Sequence, residues 1–318
     1  MGLQTLHELE GLTAPYAHVV VALGTFDGVH RGHQALVTTA VKLAKEKNGT
    51  AVVFTFANHP LSIVDPRRCP PQLGTLQQKE RWMQELGVDV LILLPFTKKL
   101  LKQSPAEFVE LLIQRLQPEA IVVGPNYSFG HRGQGDPEML RQAGAEHGFA
   151  VHIHPEVTED GEMISSTAIR QCILEGRMEE ARLLLGRPFS LEGPVVHGEK
   201  RGRLLGFPTA NLQLPTLLAV PENGVYAVKV CVEGTYYAGV ANVGTNPTFT
   251  EVERRLEVFL LQFNGDLYGK SLEVEFLGRL RGEQRFDGAE KLIAQIRLDI
   301  ENAADFFIKE SLSLSATV

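Results

Sequence analysis

At 318 residues the chain has the length of two domains, and 44% hydrophobic residues are enough to give each a packed core. A net charge of −7 argues against a general nucleic-acid binder, which needs a basic face. No apolar run reaches the length of a membrane span, and the opening MGLQTLHELEGL lacks the regions of a signal peptide. Cys69, Cys172 and Cys231 are too scattered for a disulfide frame or a zinc site, so a soluble cytoplasmic protein is expected.

The first half alternates strand and helix signals. Residues 18–23 (HVVVAL) read as a buried strand, followed by the glycine-rich turn GTFDGVHRGH (24–33). A helix over 34–47 follows, with Leu36, Ala40, Leu43 and Ala44 at helical spacing. Further strands are predicted at 50–56, 88–96, 119–124 and 149–154. Helices are predicted over 76–86, over 104–117, where Ser104, Pro105 and Glu107 write a capping box, and after Asp136-Pro137. Near-continuous Val/Ile/Leu strands separated by helices predict a doubly wound α/β domain whose parallel sheet is covered on both faces. Ligands on such sheets bind beyond the carboxyl ends of the strands.

The polar segments fall at those ends: the turn 24–33, His59, the loop GPNYSFGHRGQGD (124–136) with Asn126, and ISSTAIR (164–170). The turn matches neither the dinucleotide fingerprint nor the Walker loop. Its His30 and His33, three apart at the mouth of a helix, are able to face one phosphate. Ser165, Ser166 and Thr167 at a helix start, with Arg170 one turn on, offer hydroxyls and a guanidinium to the same kind of anion. Taken singly, each has a plainer reading: a capping turn with solvated histidines, ordinary Ser/Thr caps, a structural histidine at 59, a turn residue at 126.

Composition shifts near 183–195. A helix over 178–186 stops at Gly186 before Pro188, which divides the chain into domains 1–185 and 186–318. Beyond it, period-two strands at 225–232, 236–243, 256–263 and 271–276 predict a small antiparallel β-barrel, with Asn264-Gly265 as a hairpin turn between the last two. A terminal helix from near Asp287 carries the stripe Leu292, Ile296, Ile300, Ala303 and Phe307. Ahead of these strands, HGEKRGRLLGFPTANL (197–212) sets Lys200, Arg201 and Arg203 among glycines, as a polyphosphate-covering loop or a solvated charged surface. Thr209 and Asn211 share a face of extended chain and are able to meet a hard cation together; alone they would pass as a turn.

GTFDGVHRGH, GPNYSFG and ISSTAIR, in this order and spacing, resemble the adenylyltransferase half of the prokaryotic bifunctional riboflavin kinase/FAD synthetases. FPTANL, GVYAV, NVGTNPTF, LYGKSLEVEF and LRGEQRF resemble the riboflavin kinase module of the same enzymes. The resemblance implies phosphorylation of riboflavin to FMN by ATP, then adenylylation of FMN to FAD with release of pyrophosphate. Riboflavin, FMN and ATP are the implied partners and Mg²⁺ the implied cofactor; a monomer or weak homo-oligomer is expected. His30 and His33 would stabilise charge on the α-phosphate. Gly24, Phe26, Asp27, Gly32, His59, Asn126, Ser165, Ser166, Thr167 and Arg170 would hold nucleotide or flavin, with Asp27 either assisting Mg²⁺ or, the reading preferred, bracing the turn. In the second half Glu257 would be the base toward the riboflavin 5′-hydroxyl, and Thr209 and Asn211 the Mg²⁺ ligands. Gly198, Lys200, Arg201, Gly206, Pro208, Arg281 and Glu283 would bind substrate. From its own flanking residues Glu257 also reads as an exposed strand carboxylate. Three positions depart from the family pattern: Asn58 stands where the family usually has proline, and Phe259 and Gln262 where it often has histidine and aspartate.

Overall fold

The five apolar runs of the first half become parallel strands, and a sixth strand joins them at the edge. The computed structural model describes residues 2–8, 16–198, 202, 205–247 and 252–315, and the chain separates into two units, Met1–Ser166 and Thr167–Val318. In the first unit β1 (Gln4–Leu6), β2 (Val20–Leu23), β3 (Ala51–Phe56), β4 (Val90–Leu94), β5 (Ala120–Val123) and β6 (Ala150–Ile153) pair in the order β1-β4-β3-β2-β5-β6. The helices are α1 (Arg31–Glu46), α2 (Leu61–Val64), α3 (Leu76–Glu85), α4 (Lys98–Leu101), α5 (Pro105–Leu116) and α6 (Pro137–His147).

Alternate residues of one strand feed opposite cores. Val21 and Leu23 of β2 join Phe54, Ile92, and Phe108 and Leu112 of α5. Val20 and Ala22 join Val37 and Val41 of α1, Leu91, and Met83 of α3. Burial on both faces is why these strands read as unbroken apolar runs. The expected capping box forms at Ser104 and Glu107, and a second, unanticipated one forms at Thr75 and Gln78. The edge strand β1 was not expected, since three residues leave no periodic signal. Helix α1 begins three residues earlier than predicted because the His30 side chain caps it.

The strand order reverses between β2 and β5: the chain leaves β2 toward β3 and β4, then returns to build β5 and β6 on the other side. Loops diverge at such a point and open a crevice at the carboxyl ends. The turn 24–33 leaves β2 and the loop 124–136 leaves β5, so both border that crevice.

From the division onward run α7 (Ser166–Leu174), α8 (Met178–Leu185), six further strands and a C-terminal helix, Ala289–Ser315. A small hairpin, β7 (Thr158–Glu159) with β8 (Glu162–Met163), precedes α7. The strands β9 (Phe189–Val196), β10 (Ala210–Leu212), β11 (Gly224–Val232), β12 (Thr235–Pro247), β13 (Val252–Leu260) and β14 (Ser271–Gly282) close into an antiparallel barrel ordered β10-β13-β12-β11-β14-β9. Tyr226, Val228, Leu256, Val258, Val274 and Phe276 are among its buried residues. The helix α8 packs on β14 and β9, so by contact it goes with the barrel, although the composition shift lies beyond it.

The hairpin expected at Asn264-Gly265 does not form. β13 pairs with β12 and β10, and β14 with β11 and β9, so the strands flanking Asn264-Gly265 are not neighbours. The two-residue turn is instead Glu233-Gly234, both at positive φ (50° and 82°), joining β11 to β12. Closing the barrel fixes the pairing, and it overrides a local turn signal.

Candidate functional site

The turn after β2 is held from several directions. An added Cβ at Gly24 would come 2.8 Å from the Phe26 ring, and Phe26 itself takes the left-handed conformation (φ 46°). Thr55 Oγ1 donates to Thr25 O (3.0 Å), and Gln34 Nε2 to Val29 O (2.8 Å). The Leu73 N–H donates to Asp27 Oδ1 (3.0 Å), and Ser166 Oγ to Asp27 O (3.1 Å). Asp27 therefore braces the turn. From α3, the Lys79 ammonium donates to Thr25 O (3.0 Å) and to Phe56 O (3.3 Å).

His30 is the N-cap of α1, and its Nδ1 accepts from the His33 N–H (3.3 Å). In a neutral imidazole that arrangement leaves the proton on Nε2, which is then a donor. The two rings stack with centroids 3.6 Å apart, and Phe26 packs edge-on to His33 at 5.2 Å. Part of His33 reaches solvent, yet its Nδ1 is buried with no hydrogen-bond partner among the described residues. Burial first, then the charges of His30 and Lys79, hold the His33 pKa well below its ordinary 6.5, so this ring is neutral at pH 7.

Both rings open onto a cleft of about 840 Å³, which Gly24, Phe26, Gly32, Asn126, Ser165 and Ser166 also line. Its walls carry two aromatic pairs: Phe56 against Phe96 (5.0 Å) and Tyr127 against Phe129 (5.8 Å). Burial pushes the Tyr127 phenol pKa well up, which keeps that wall neutral. Asn126 Nδ2 donates to Glu156 Oε1 (2.7 Å), and both residues line the cleft. A polar edge with a flat apolar wall accepts a phosphate at one end and an aromatic ring at the other.

His59 and Asp27 line a separate small cavity of about 20 Å³ together with Lys79. His59 Nδ1 accepts from the Leu61 N–H (3.1 Å) and so caps the short α2. Thr167 and Arg170 lie in the second unit by the contact division, with Arg170 buried. The departure at Asn58 has a structural explanation. Its amide accepts from the Phe96 N–H (2.7 Å) and donates to Phe96 O (3.2 Å) and Ser62 Oγ (2.9 Å), clasping the ends of β3 and β4. Asn58→Ala should lower the stability of this unit by about 1–3 kcal/mol, the cost of leaving the Phe96 groups unpaired, measured by denaturant unfolding.

In the barrel, cross-strand register builds a polar row. Asn211 of β10 lies opposite Glu257 of β13, which lies opposite Asn242 of β12. Directly paired residues point to one face, so the carboxylate stands between two amides. Arg255 Nη1 donates to Glu257 Oε1 (3.0 Å). One cavity of about 370 Å³ is lined by these residues with Thr209, Arg281 and Glu283, and by Leu292, Ile296 and Ile300 of the C-terminal helix. A second, of about 670 Å³, is lined by Gly198, Gly206, Pro208 and the connection holding Asn264 and Tyr268. Thr209, Asn211 and Phe259 line both.

The Arg281 guanidinium grips both carboxylate oxygens of Asp299 on the C-terminal helix at 2.8 Å, and Gln295 Nε2 adds a third bond. Asp299 is 3% exposed. Asp299→Ala should therefore cost on the order of 3 kcal/mol of barrel stability, read by thermal unfolding, because it strands Arg281 without its partner. Phe259 packs edge-on to Phe207 (5.9 Å), and Gln262 sits at positive φ (55°) on the wall of the second cavity. These two departures thus occupy a packing position and a turn. Lys200 and Arg201, with Arg203, lie outside the described residues.

Among the described residues no group of three His, Cys, Asp or Glu is placed to hold a metal. Thr209 and Asn211 nevertheless suit one. A Cβ at Gly198 would come within 2.4 Å of the Asn211 amide, and one at Gly202 within 3.3 Å of Thr209 Oγ1, so glycines keep the space before both side chains open. Two neutral oxygens fit Mg²⁺, which keeps several waters and draws other ligands from phosphates.

A parallel α/β unit with paired imidazoles at its switch point, linked to a barrel with a carboxylate between two amides, defines a transferase with two centres. The family model of FAD synthetase matches residues 13–168 and that of riboflavin kinase residues 185–307. Bifunctional riboflavin kinase/FMN adenylyltransferases are similar over nearly the whole chain. The one from Listeria monocytogenes is 40% identical, covering 91% of this chain and 93% of its own; that from Escherichia coli is 38% identical, covering 92% and 94%. A solved structure described as a macrolide-efflux protein from Streptococcus pneumoniae is 35% identical, with a TM-score of 0.88 over 96% of this chain and 99% of that one. No described helix is long and apolar enough to cross a membrane. The chain belongs to the bifunctional riboflavin kinase/FMN adenylyltransferase family.

Proposed function

We infer that the chain makes FAD from riboflavin in two ATP-dependent transfers, one in each unit. Two unlike clefts carry this reading, each setting phosphate-facing polar groups against an apolar wall. In the barrel, the riboflavin 5′-oxygen attacks the γ-phosphorus of ATP, Glu257 takes the hydroxyl proton, and ADP leaves with the β–γ bridging oxygen. Arg255 orients the carboxylate, while Arg281 and Glu283 border the flavin. Thr209 and Asn211 would hold Mg²⁺, which neutralises phosphate charge. In the α/β unit a phosphate oxygen of FMN attacks the α-phosphorus of the second ATP and pyrophosphate departs. His30 and His33 donate to the charge that develops there, and Ser165 and Ser166, which line the same cleft, hold the departing phosphates.

Residues 1–185 are assigned to adenylyl transfer and 186–318 to the kinase, a division supported by the extents of the two family matches. Three free cysteines and a net charge of −7 support a cytoplasmic protein that does not bind nucleic acid, working as a monomer or weak homo-oligomer. Incubation with riboflavin, ATP and Mg²⁺ should yield FMN and ADP, then FAD and pyrophosphate. If no FMN forms while supplied FMN still becomes FAD, the kinase half is impaired. Flavin binding without nucleotide turnover would reduce the chain to a binding protein.

A further inference from the structure

The two reactions leave one buried cation without a part. Lys79 follows the Thr75–Gln78 capping box, closes the first turn of α3 through its N–H to Thr75 O (3.0 Å), and is only 9% exposed. Its ammonium donates to Thr25 O in the turn after β2 and to Phe56 O at the end of β3. One side chain thus joins two adjacent strand ends: the first runs on into His30 and His33, and the second supplies part of the aromatic wall. Burying an ammonium costs free energy that two carbonyls and the pull of nearby Asp27 offset only in part. An uncharged amide would tie the same carbonyls more cheaply, so the charge itself calls for a function.

We propose that Lys79 is a positioning residue for adenylyl transfer, tying Thr25 to Phe56 and holding positive charge beneath the turn that receives the polyphosphate. This rests on the adenylyltransferase reading above. The titratable groups around it are Asp27 and His59, which line the same small cavity, and His33, with His30 stacked on it. Burial lowers the Lys79 pKa to about 8, against the opposing pull of Asp27. A neutral amine keeps two N–H groups for the same two carbonyls, so losing the proton removes the charge and leaves the tie.

The test measures FAD formation from FMN and ATP across pH, with riboflavin phosphorylation by the same chain as control. In Lys79→Met, kcat for adenylyl transfer should fall about tenfold or more, the KM for FMN should stay within about threefold, and the kinase rate should not change. In the parent, kcat should decline above about pH 8. Lys79→Arg keeps the charge and should retain activity while moving that decline upward. A Lys79→Met kcat within about twofold of the parent, or the same decline near pH 8 in Lys79→Arg, overturns the proposal. If Lys79→Met does not fold, the two pH profiles decide alone. A parent that makes no FAD from FMN would sink the functional reading instead.

Discussion

A Glu257→Gln chain is expected to lose riboflavin phosphorylation, its kcat falling by about 10²–10⁴-fold, while still converting supplied FMN to FAD at the parent rate. The substitution keeps the shape of the side chain and removes its charge and its ability to take a proton. Asn211 and Asn242, on either side in the strand register, cannot replace it, because amides are not bases at neutral pH. Loss of the pairing with Arg255 should cost little stability, since both side chains remain partly exposed, 31% and 25%. Flavin products separated by chromatography give both rates from one preparation. A rise in KM with kcat unchanged would make Glu257 a binding group. Equal loss of both reactions would undo the division of labour between the units.

How far these sites are legible in the sequence depends on what holds each residue in place. The parallel sheet is legible because burial on both faces writes itself as unbroken runs such as 18–23 and 119–124. Its switch point then brings the 24–33 and 124–136 loops to one crevice, which is why motifs at strand ends converge. Barrel pairing is less legible. Asn264-Gly265 is a stronger turn signal than Glu233-Gly234, yet closure leaves the former spanning two strands that do not pair. Lys79 is invisible because in LQQKERWMQE it reads as one more solvated charge on an amphipathic helix. Only the fold brings that helix under the turn that leads to His30 and His33. The chemistry of Asn58 is visible in sequence, but its partner Phe96 lies 38 residues away.

On the proposed adenylyl-transfer reading His30 has two jobs, and one substitution separates them. His30→Ala should lower adenylyl transfer by about 10²–10³-fold, which is about 2.7–4 kcal/mol of barrier for one preorganised donor. It should also cost about 1 kcal/mol of stability, because Nδ1 caps α1 at the His33 N–H. Asparagine is a strong N-cap but has no imidazole, so His30→Asn should regain the stability and none of the rate. Thermal unfolding reads the first effect, and FAD formation from FMN the second. Because the His33 pKa is held low by burial first, and then by His30 and Lys79, the parent rate should not fall between pH 7 and 6.5 on account of that ring. Riboflavin phosphorylation, carried by the barrel, should be unchanged in both variants. If His30→Asn restores adenylyl transfer along with stability, the ring acts only as a cap, and phosphate stabilisation must come from other groups in the cleft.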